Sequence, residues 1–283
     1  MRRAAAVLMG WALVLGVVGI PSAVAGSGAA ARPPAAPSFG SKLKNGDLYV
    51  ALGSSIASGF GIAVQSECGR SSRDYPQLVA ARYDLDLVDV TCGGATIPNI
   101  VDTPQGENPP QIIAVTPDTK LITVTVGGND IGYNATALSC SDPATVCAAP
   151  ATLDEDIAHA RVVLENMLDQ LEAAAPKATI VFVTYPREVP RKKNCEALSY
   201  TDEEAALVRS MGELVEQMFV DVAKRPGIVF VDPYAAKGEH TGCASESQAW
   251  TAGHEIADGF PYHPTALGHK IMAKMIIKAL NKH

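Results

Sequence analysis

The sequence predicts a three-layer α/β/α sandwich built on a five-stranded parallel sheet. Short segments that are apolar throughout alternate along the chain with longer amphipathic segments, a pattern typical of parallel strands that helices cover on both faces. The chain has 283 residues, and 47% of them are hydrophobic, which is enough for one large core. Because no internal repeat and no second linker interrupts the alternation, we expect a single α/β domain over 45–283.

The predicted strands are short apolar runs bounded by glycine or polar residues. The clearest is rich in β-branched side chains and ends before Gly127 and Gly128, which is typical of a buried strand. The first strand ends at Gly53. In chain order, the five strands are predicted at 47–52, 85–91, 120–126, 178–184 and 227–232.

Four segments that follow predicted strands have the spacing of amphipathic helices. The third of them begins with Thr201 and Glu204, which have the spacing of a capping box. The second ends before Pro176, which cannot continue a helix. The four helices are predicted at 75–83, 153–175, 201–224 and 265–280.

Residues 1–25 have the pattern of a secretory signal peptide. Arg2 and Arg3 precede an apolar run over 4–20, and small residues at positions 23 and 25 form a cleavage site. The alternative is an uncleaved membrane anchor, but the run is short for a span. Residues 26–44 are rich in Ala, Pro, Ser and Gly and are predicted to be a flexible leader. We therefore expect a secreted protein with no integral membrane segment after signal cleavage.

Charge and cysteine content narrow the function classes. The formal net charge is −7, whereas nucleic-acid-binding proteins carry a basic surface. Six cysteines in an exported chain predict disulfides, and no close-spaced Cys/His quartet suggests a metal site. Many pairings are possible, and our first hypothesis is that neighbours pair. The pairs are then Cys68–Cys92, Cys140–Cys147 and Cys195–Cys243.

Residues with groups that could take part in chemistry follow the predicted strands, at the edge where ligands bind in parallel sheets. Ser55 follows the first strand, Gly94 the second and Asn129 the third, while His263 precedes the last helix. A serine nucleophile needs a base to accept its proton, and the oxyanion formed by its attack needs hydrogen-bond donors. We predict Ser55 as nucleophile and His263 as base. The oxyanion hole is predicted to consist of the Ser55 and Gly94 N–H groups and the Asn129 amide.

These residues resemble the SGNH (GDSL-type) hydrolases, and among them the secreted actinobacterial lipases and esterases with three disulfides. The resemblance lies in four short blocks in chain order: 49–55, Gly94 to Thr96, Gly127 to Asp130, and His263-Pro264. It implies a flavodoxin-like SGNH hydrolase fold and the same catalytic and oxyanion roles for these positions. It also implies sequential disulfides and chemistry that needs no cofactor.

The sequence departs from the family pattern at two positions. Ser54 stands where the family has aspartate, which leaves open whether Ser54 or Ser55 attacks; register with the motif favours Ser55. Phe260 stands three residues before His263, where the family has another aspartate. The resembling secreted subgroup implies that the backbone carbonyl of Phe260 orients His263 in a Ser-His dyad. The alternative orienting group is the carboxylate of Asp258.

Other functional residue types have simpler interpretations. His159 and His269 lie in predicted helices, as surface or packing residues, and His240 and His254 lie in predicted loops without an evident partner. The loop 96–113 has two interpretations, an apolar wall for an acyl chain or a packed surface loop. The six cysteines are predicted in loops at the carboxyl ends of strands, where their disulfides hold the rim of the site.

The function predicted from these residues is a secreted serine esterase or lipase that hydrolyses acyl esters, with lipid esters as the favoured class. The alternatives are a carbohydrate O-acetyl esterase and a catalytically inactive secreted binding protein. Trp250 is the single tryptophan beyond the predicted signal peptide, which disfavours a carbohydrate site built from aromatic platforms. We expect a monomer that binds a small-molecule or lipid ester and no nucleic acid. We also expect activity above the His263 pKa, at about 6.5 if unperturbed.

Overall fold

The computed structural model describes residues 42–63 and 65–282. The predicted signal peptide, 1–25, lies outside these residues, as does the predicted leader except for 42–44. The described residues lie within one compact unit. Among them, no helix is both long and apolar enough to span a bilayer.

The core of the unit is a parallel sheet with the strand order β2-β1-β3-β4-β5, and all four strand pairs are parallel. Three of the strands are buried along most or all of their length because helices cover both faces. The strands are β1 Leu48–Gly53, β2 Asp86–Asp89, β3 Leu121–Thr125, β4 Thr179–Val183 and β5 Ile228–Val231. The predicted fold class is confirmed.

Strand β2 is shorter than the predicted 85–91. It lies at the edge of the sheet and pairs only with β1, so its residues alternate between exposed and half-buried positions. After Asp89 the chain turns toward β1, where the Val90 N–H donates to the Ala51 carbonyl at 3.1 Å and the Cys92 N–H to the Gly53 carbonyl at 3.0 Å. The residues after β2 are thus held against the end of β1.

The four predicted helices are present, and three short ones follow the strand ends. The long helices α5 and α6 pack together, and α2 packs against α7. The α6 capping box is formed, because the Glu204 N–H donates to the Thr201 hydroxyl at 3.2 Å and the Thr201 N–H to the Glu204 carboxylate at 2.7 Å. The helices are α1 Ser55–Ser58, α2 Tyr75–Tyr83, α3 Ile97–Val101, α4 Tyr133–Cys140, α5 Leu153–Ala174, α6 Asp202–Ala223 and α7 Ala266–Leu280.

Three disulfides join the sequential pairs that the cysteine spacing and the family resemblance suggested. They are Cys68–Cys92, Cys140–Cys147 and Cys195–Cys243. One detail of the prediction is wrong, because Cys140 is not in a loop but is the last residue of α4. That disulfide therefore closes the far end of a helix, whereas the other two join segments that follow different strands.

Candidate active site

Ser55 lies where β1 turns sharply into α1. Gly53, the last residue of β1, has φ +141°, and a Cβ at this position would collide with the carbonyl oxygen of Thr125 on the neighbouring β3. Only glycine therefore permits this turn beside β3. Ser55 is the first residue of α1, so the side chain is presented at the carboxyl edge of the sheet.

A residue that the sequence did not indicate holds this turn in place. The Gln111 side chain contacts both polar groups of the Gly53 backbone: its Oε1 accepts from the Gly53 N–H at 2.8 Å, and its Nε2 donates to the Gly53 carbonyl at 3.0 Å. Gln111 is buried and lies outside every motif block. Because its partner is far away in sequence, no local pattern reveals this clamp.

The two adjacent serines have different environments. The Ser55 Oγ lies 2.8 Å from the His263 Nε2. The Ser54 side chain is fully buried, and its hydroxyl, although near that of Tyr185, has no hydrogen-bond partner among the described residues. The Tyr185 hydroxyl itself accepts from the Gly128 N–H at 2.9 Å. The geometry therefore brings Ser55, and not Ser54, to the histidine.

The carbonyl that faces the other side of the His263 ring belongs to Pro261 and not to Phe260. The His263 Nδ1 lies 2.9 Å from the Pro261 carbonyl oxygen. The Phe260 carbonyl instead accepts from the backbone N–H of His263 at 3.1 Å. The physical reason is the tight turn at Tyr262, whose φ of +62° is in the left-handed region. The sequence prediction was therefore one residue early.

The contact with Pro261 determines the protonation of the ring. A carbonyl oxygen can only accept a hydrogen bond, so Nδ1 carries the proton and Nε2 is free to accept the Ser55 O–H. Tyr262 supports this turn, because its side chain is buried, donates to the Leu198 carbonyl at 2.7 Å and stacks on Tyr200 with ring centroids 5.1 Å apart. The role of Tyr262 was missed, since a positive φ at tyrosine has no sequence signal.

Asp258, the alternative orienting group, points elsewhere. Its carboxylate forms an ion pair with Arg73 and accepts from the Ala63 N–H at 2.6 Å. These contacts, with the Ala63 hydrogen bond as the larger influence, hold the pKa of Asp258 below its usual range. The carboxylate makes no contact with His263 among the described residues. It ties the loop after α1 to the loop before His263.

Aromatic side chains exclude water from His263. The Phe260 ring meets the imidazole edge to face at 5.0 Å, and Phe60 lies 6.4 Å from it. Burial lowers the pKa of His263 to about 4, against a smaller opposing effect of the Pro261 carbonyl. The value of about 6.5 applies only to an unperturbed ring, and the sequence did not show that this ring is only 4% exposed. His263 is neutral, and able to act as a base, throughout the neutral pH range.

Three potential oxyanion donors lie at the ends of neighbouring strands. The backbone N–H groups of Ser55 and Gly94 have no acceptor among the described residues. The Asn129 amide donates one hydrogen to the Ala95 carbonyl at 2.9 Å, which orients the amide and leaves its second hydrogen available. The loops after β1, β2 and β3 therefore each contribute one donor at the same edge of the sheet.

Asp130 links two of these loops and does not cap the helix that follows it. Its carboxylate accepts from the Ile97 N–H at 2.9 Å, at the start of α3, and burial raises its pKa to about 6. Helix α4 begins only at Tyr133. Ile97 and Ile100 are fully buried in the core, so these two side chains of the 96–113 loop do not form an apolar wall.

The remaining histidines do not reach the dyad. His159 is exposed, His269 is buried in α7, and His254 lies 3.3 Å from the Tyr262 hydroxyl. His240 stacks on Trp250. Among residues 42–63 and 65–282, no group of three or more His, Cys, Asp or Glu side chains is arranged to hold a metal ion.

A serine in contact with a neutral, oriented histidine at the carboxyl edge of a parallel α/β sheet is typical of serine hydrolases that act on acyl groups. A comparison with protein families agrees with this class. The model of the GDSL-like Lipase/Acylhydrolase family matches residues 51–271, and the chain belongs to this family. The sequence-based prediction of a carboxylic ester hydrolase is thereby confirmed.

Similar proteins come from streptomycetes. The chain is 27% identical over 263 residues to Lipase 1 of Streptomyces coelicolor, covering 89% of this chain and 93% of that protein. The crystal structure of an extracellular lipase from Streptomyces rimosus matches with a TM-score of 0.63 and 27% identity, over 83% of this chain and 98% of that one. Phospholipase A1 from Streptomyces albidoflavus NA297 matches with a TM-score of 0.64 and 25% identity, over 84% of this chain and 99% of that one.

Proposed function

We propose that the protein is a secreted esterase or lipase that cleaves acyl esters through a Ser55–His263 dyad and an acyl-enzyme. The observation that carries this proposal is the 2.8 Å contact between Ser55 Oγ and His263 Nε2. The Pro261 carbonyl on Nδ1 supports it, because that contact leaves Nε2 without a proton. Three disulfides and the likeness to an extracellular lipase support secretion.

The proposed reaction follows from these positions. His263 Nε2 accepts the proton of Ser55 as Oγ attacks the ester carbonyl carbon. The negative charge that develops on the carbonyl oxygen is stabilised by the Ser55 and Gly94 N–H groups and by the Asn129 amide. The alcohol leaves with the proton from His263, and water then cleaves the acyl-enzyme by the same route in reverse.

The group that faces the His263 Nδ1 is an uncharged carbonyl, that of Pro261, and this affects how well the charged ring is stabilised. An imidazolium forms during the reaction, and a carbonyl stabilises its charge less than a carboxylate does. The carbonyl dipole nevertheless fixes the tautomer and the orientation of the ring. In this proposal Pro261 therefore positions the base, and the oxyanion donors supply most of the electrostatic stabilisation.

Covalent labelling tests the nucleophile. We expect an organophosphonate to add one covalent group, and mass-spectrometric peptide mapping to locate it on Ser55. Ser55→Ala should abolish the adduct, whereas the matched control Ser54→Ala should retain it. An adduct on Ser54 would contradict the assignment, and the absence of any adduct on folded, oxidised protein would favour an inactive binding protein.

The apolar surroundings of the dyad support acyl esters of lipid type as substrates. Phe60 and Phe260 are half-buried beside His263, with ring centroids 5.1 Å apart. To test this, kcat/KM is measured for a series of p-nitrophenyl esters of increasing acyl length. The Ser55→Ala variant measures the hydrolysis that does not depend on Ser55. We expect kcat/KM to remain high beyond acetyl, because a longer chain contacts these rings. Activity confined to acetylated oligosaccharides would instead establish a carbohydrate O-acetyl esterase.

A further inference from the structure

A second cavity opens at the ends of β4 and β5, away from Ser55. It lies between segments 186–194 and 233–243, is also lined by Trp250, and has a volume of about 520 Å³; we call it the basic cavity. Small-molecule sites typically measure ~300–1,000 Å³, so it is large enough for a whole ligand. Neither Ser55 nor His263 lines it.

The lining is strongly cationic. Arg187, Arg191, Lys192 and Lys193 line the cavity, and Glu239 is the only acidic residue among its lining residues. The Glu239 carboxylate already accepts from the backbone N–H of Thr241 at 2.9 Å. Within the described part of the chain, none of the four cations takes part in an ion pair.

Arg187 presents unused hydrogen-bond donors. Its guanidinium lies over the Tyr234 ring, 3.7 Å from the centroid, and its buried Nε and Nη1 atoms have no acceptor among the described residues. Buried donors normally have partners, and a charged donor without one is costly. Glu216 lies near Arg187, but burial and the neighbouring Asp232 raise its pKa to about 8.

The walls of the basic cavity are preformed. The Cys195–Cys243 disulfide joins the residue that directly follows the first segment to the end of the second, and the Arg191 Nη2 donates to the Ala236 carbonyl at 2.9 Å. Trp250 stacks on His240 with ring centroids 3.9 Å apart and an interplanar angle of 3°. A rigid site loses little conformational entropy when it binds a ligand.

We propose that the basic cavity binds an organic phosphate. A guanidinium fork and clustered ammonium groups are the side chains that bind phosphate oxygens, and a dianion matches the excess of positive charge better than a single carboxylate does. The carbon part of the ligand packs against the apolar part of the lining, which includes Pro186, Pro190 and Pro233. Inorganic phosphate alone would leave this apolar part uncovered.

The ligand has two possible sources, a free phosphate ester or the phosphate group of a lipid held at Ser55. Strand β4 is two strands from β1 in the sheet, a distance of about 10 Å. The backbone next to Trp250 also adjoins the dyad, because the Ala252 N–H donates to the His263 carbonyl at 2.8 Å. A single elongated molecule could therefore reach both sites, although binding in the basic cavity does not require hydrolysis.

Tryptophan fluorescence provides a direct test, because Trp250 lines the cavity. The purified chain without residues 1–25, in which Trp250 is the single tryptophan, is titrated with glycerol 3-phosphate, with inorganic phosphate, and with lactate as a smaller hydroxylated carboxylate. The cavity variant is Lys192→Gln with Lys193→Gln. The matched control is Lys270→Gln with Lys274→Gln, which removes the same charge from exposed positions on α7.

We expect saturable binding of glycerol 3-phosphate that is about tenfold weaker in the cavity variant and unchanged in the control. Lactate and inorganic phosphate should each bind more weakly than glycerol 3-phosphate. No saturable response, equal weakening in both double variants, or equal affinity for lactate would overturn the proposal. Ser55→Ala protein should bind as the parent does, so this result is independent of the proposed esterase activity.

The two possible sources of the phosphate group predict different effects of the cavity variant on kcat/KM. If a lipid phosphate occupies the cavity, the cavity variant should lower kcat/KM for a lysophosphatidic acid about tenfold and leave a neutral monoacylglycerol unaffected. If the ligand is a free phosphate ester, kcat/KM for both substrates should stay constant while glycerol 3-phosphate binding weakens. Either result supports the cavity as a phosphate site, and equal binding of glycerol 3-phosphate by parent and cavity variant refutes it.

Discussion

Two buried histidines lie on either side of the start of α7, and their surroundings are alike in burial but opposite in hydrogen bonding. His263 is 4% exposed and His269 is 0% exposed, and burial lowers their pKa values to about 4 and about 3. The Nδ1 of His263 faces the Pro261 carbonyl, whereas the Nδ1 of His269 accepts from the Tyr75 N–H at 3.1 Å.

In the proposed mechanism, this difference in hydrogen bonding gives the two histidines different roles. A carbonyl partner places the proton of His263 on Nδ1 and leaves Nε2 to accept from Ser55. The N–H partner of His269 places its proton on Nε2, which has no acceptor among the described residues. Burial and a depressed pKa therefore do not by themselves identify a catalytic base. We propose His263 as the base because its Nδ1 faces a carbonyl and its Nε2 contacts the Ser55 Oγ.

The largest effect that separates the two histidines is expected from His263→Ala. Loss of the base should lower kcat on the order of 10⁵- to 10⁶-fold, measured with a short-chain ester. The midpoint of chemical denaturation should fall modestly, because the substitution also removes a buried ring that packs against Phe260.

The matched variant is His269→Phe. It leaves the buried N–H of Tyr75 without an acceptor, so the free energy of unfolding should fall by about 1–3 kcal/mol, while kcat of the folded protein stays close to the parent value. The comparison fails if His263→Ala retains substantial activity, or if His269→Phe loses activity in proportion to His263→Ala.

The pH dependence of kcat sharpens the comparison. His263 must be neutral to accept a proton, so kcat should stay constant down to pH 5 and fall about tenfold per unit only below its pKa of about 4. A half-maximal kcat near pH 6.5 would show that water reaches the ring and that its burial is incomplete.

The free energy of unfolding should depend on pH over a different range from kcat. Both histidine pKa values are lowered by folding, so below about pH 6.5 the unfolded chain binds protons that the folded chain does not. The contribution of these two histidines to the free energy of unfolding should therefore decrease as the pH falls from about 6.5 toward 4, while kcat of the folded protein is unchanged. Buried acids whose pKa values are raised, such as Glu216 and Asp130, contribute in the opposite direction. Denaturant titrations at several pH values, compared with those of His269→Phe, measure this contribution.

The smallest effect is expected from Asp258→Asn. Because Asp258 contacts Arg73 and Ala63 and not His263, kcat should change only a few-fold. A loss of about 10⁴-fold, as for a carboxylate that holds a catalytic imidazole, would show that Asp258 orients the base. Arg73→Gln removes the same ion pair from the other side and should behave like Asp258→Asn.

Much of the fold could be predicted because its signals are local. The apolar run before Gly127 and the capping box of Thr201 and Glu204 each depend on neighbouring residues. The short helices α1, α3 and α4 were not predicted, because segments of this length carry too few residues to show a period. Strand β2 was drawn too long, because its apolar pattern continues past the point where pairing with β1 ends.

The candidate site was predicted to the level of residues but not of contacts. Short motif blocks identified Ser55, Gly94, Asn129 and His263 because each follows a strand end or precedes a helix. The Gln111 clamp has no local signal because Gly53, its partner, is far away in sequence. The turn at Tyr262 has none because it depends on one backbone dihedral.

The sequence by itself determined the five strands and the helices α2, α5, α6 and α7, the family to which the chain belongs, and which serine and histidine are the candidates for chemistry. Only the tertiary structure decided which carbonyl faces His263, which nitrogen carries its proton and how far its pKa falls. The physical reason is that tautomer and pKa depend on the groups that surround the ring in space. Phe60 reaches His263 only once the loop after β1 is folded against the loop before α7, and the left-handed turn at Tyr262 decides which carbonyl faces the ring.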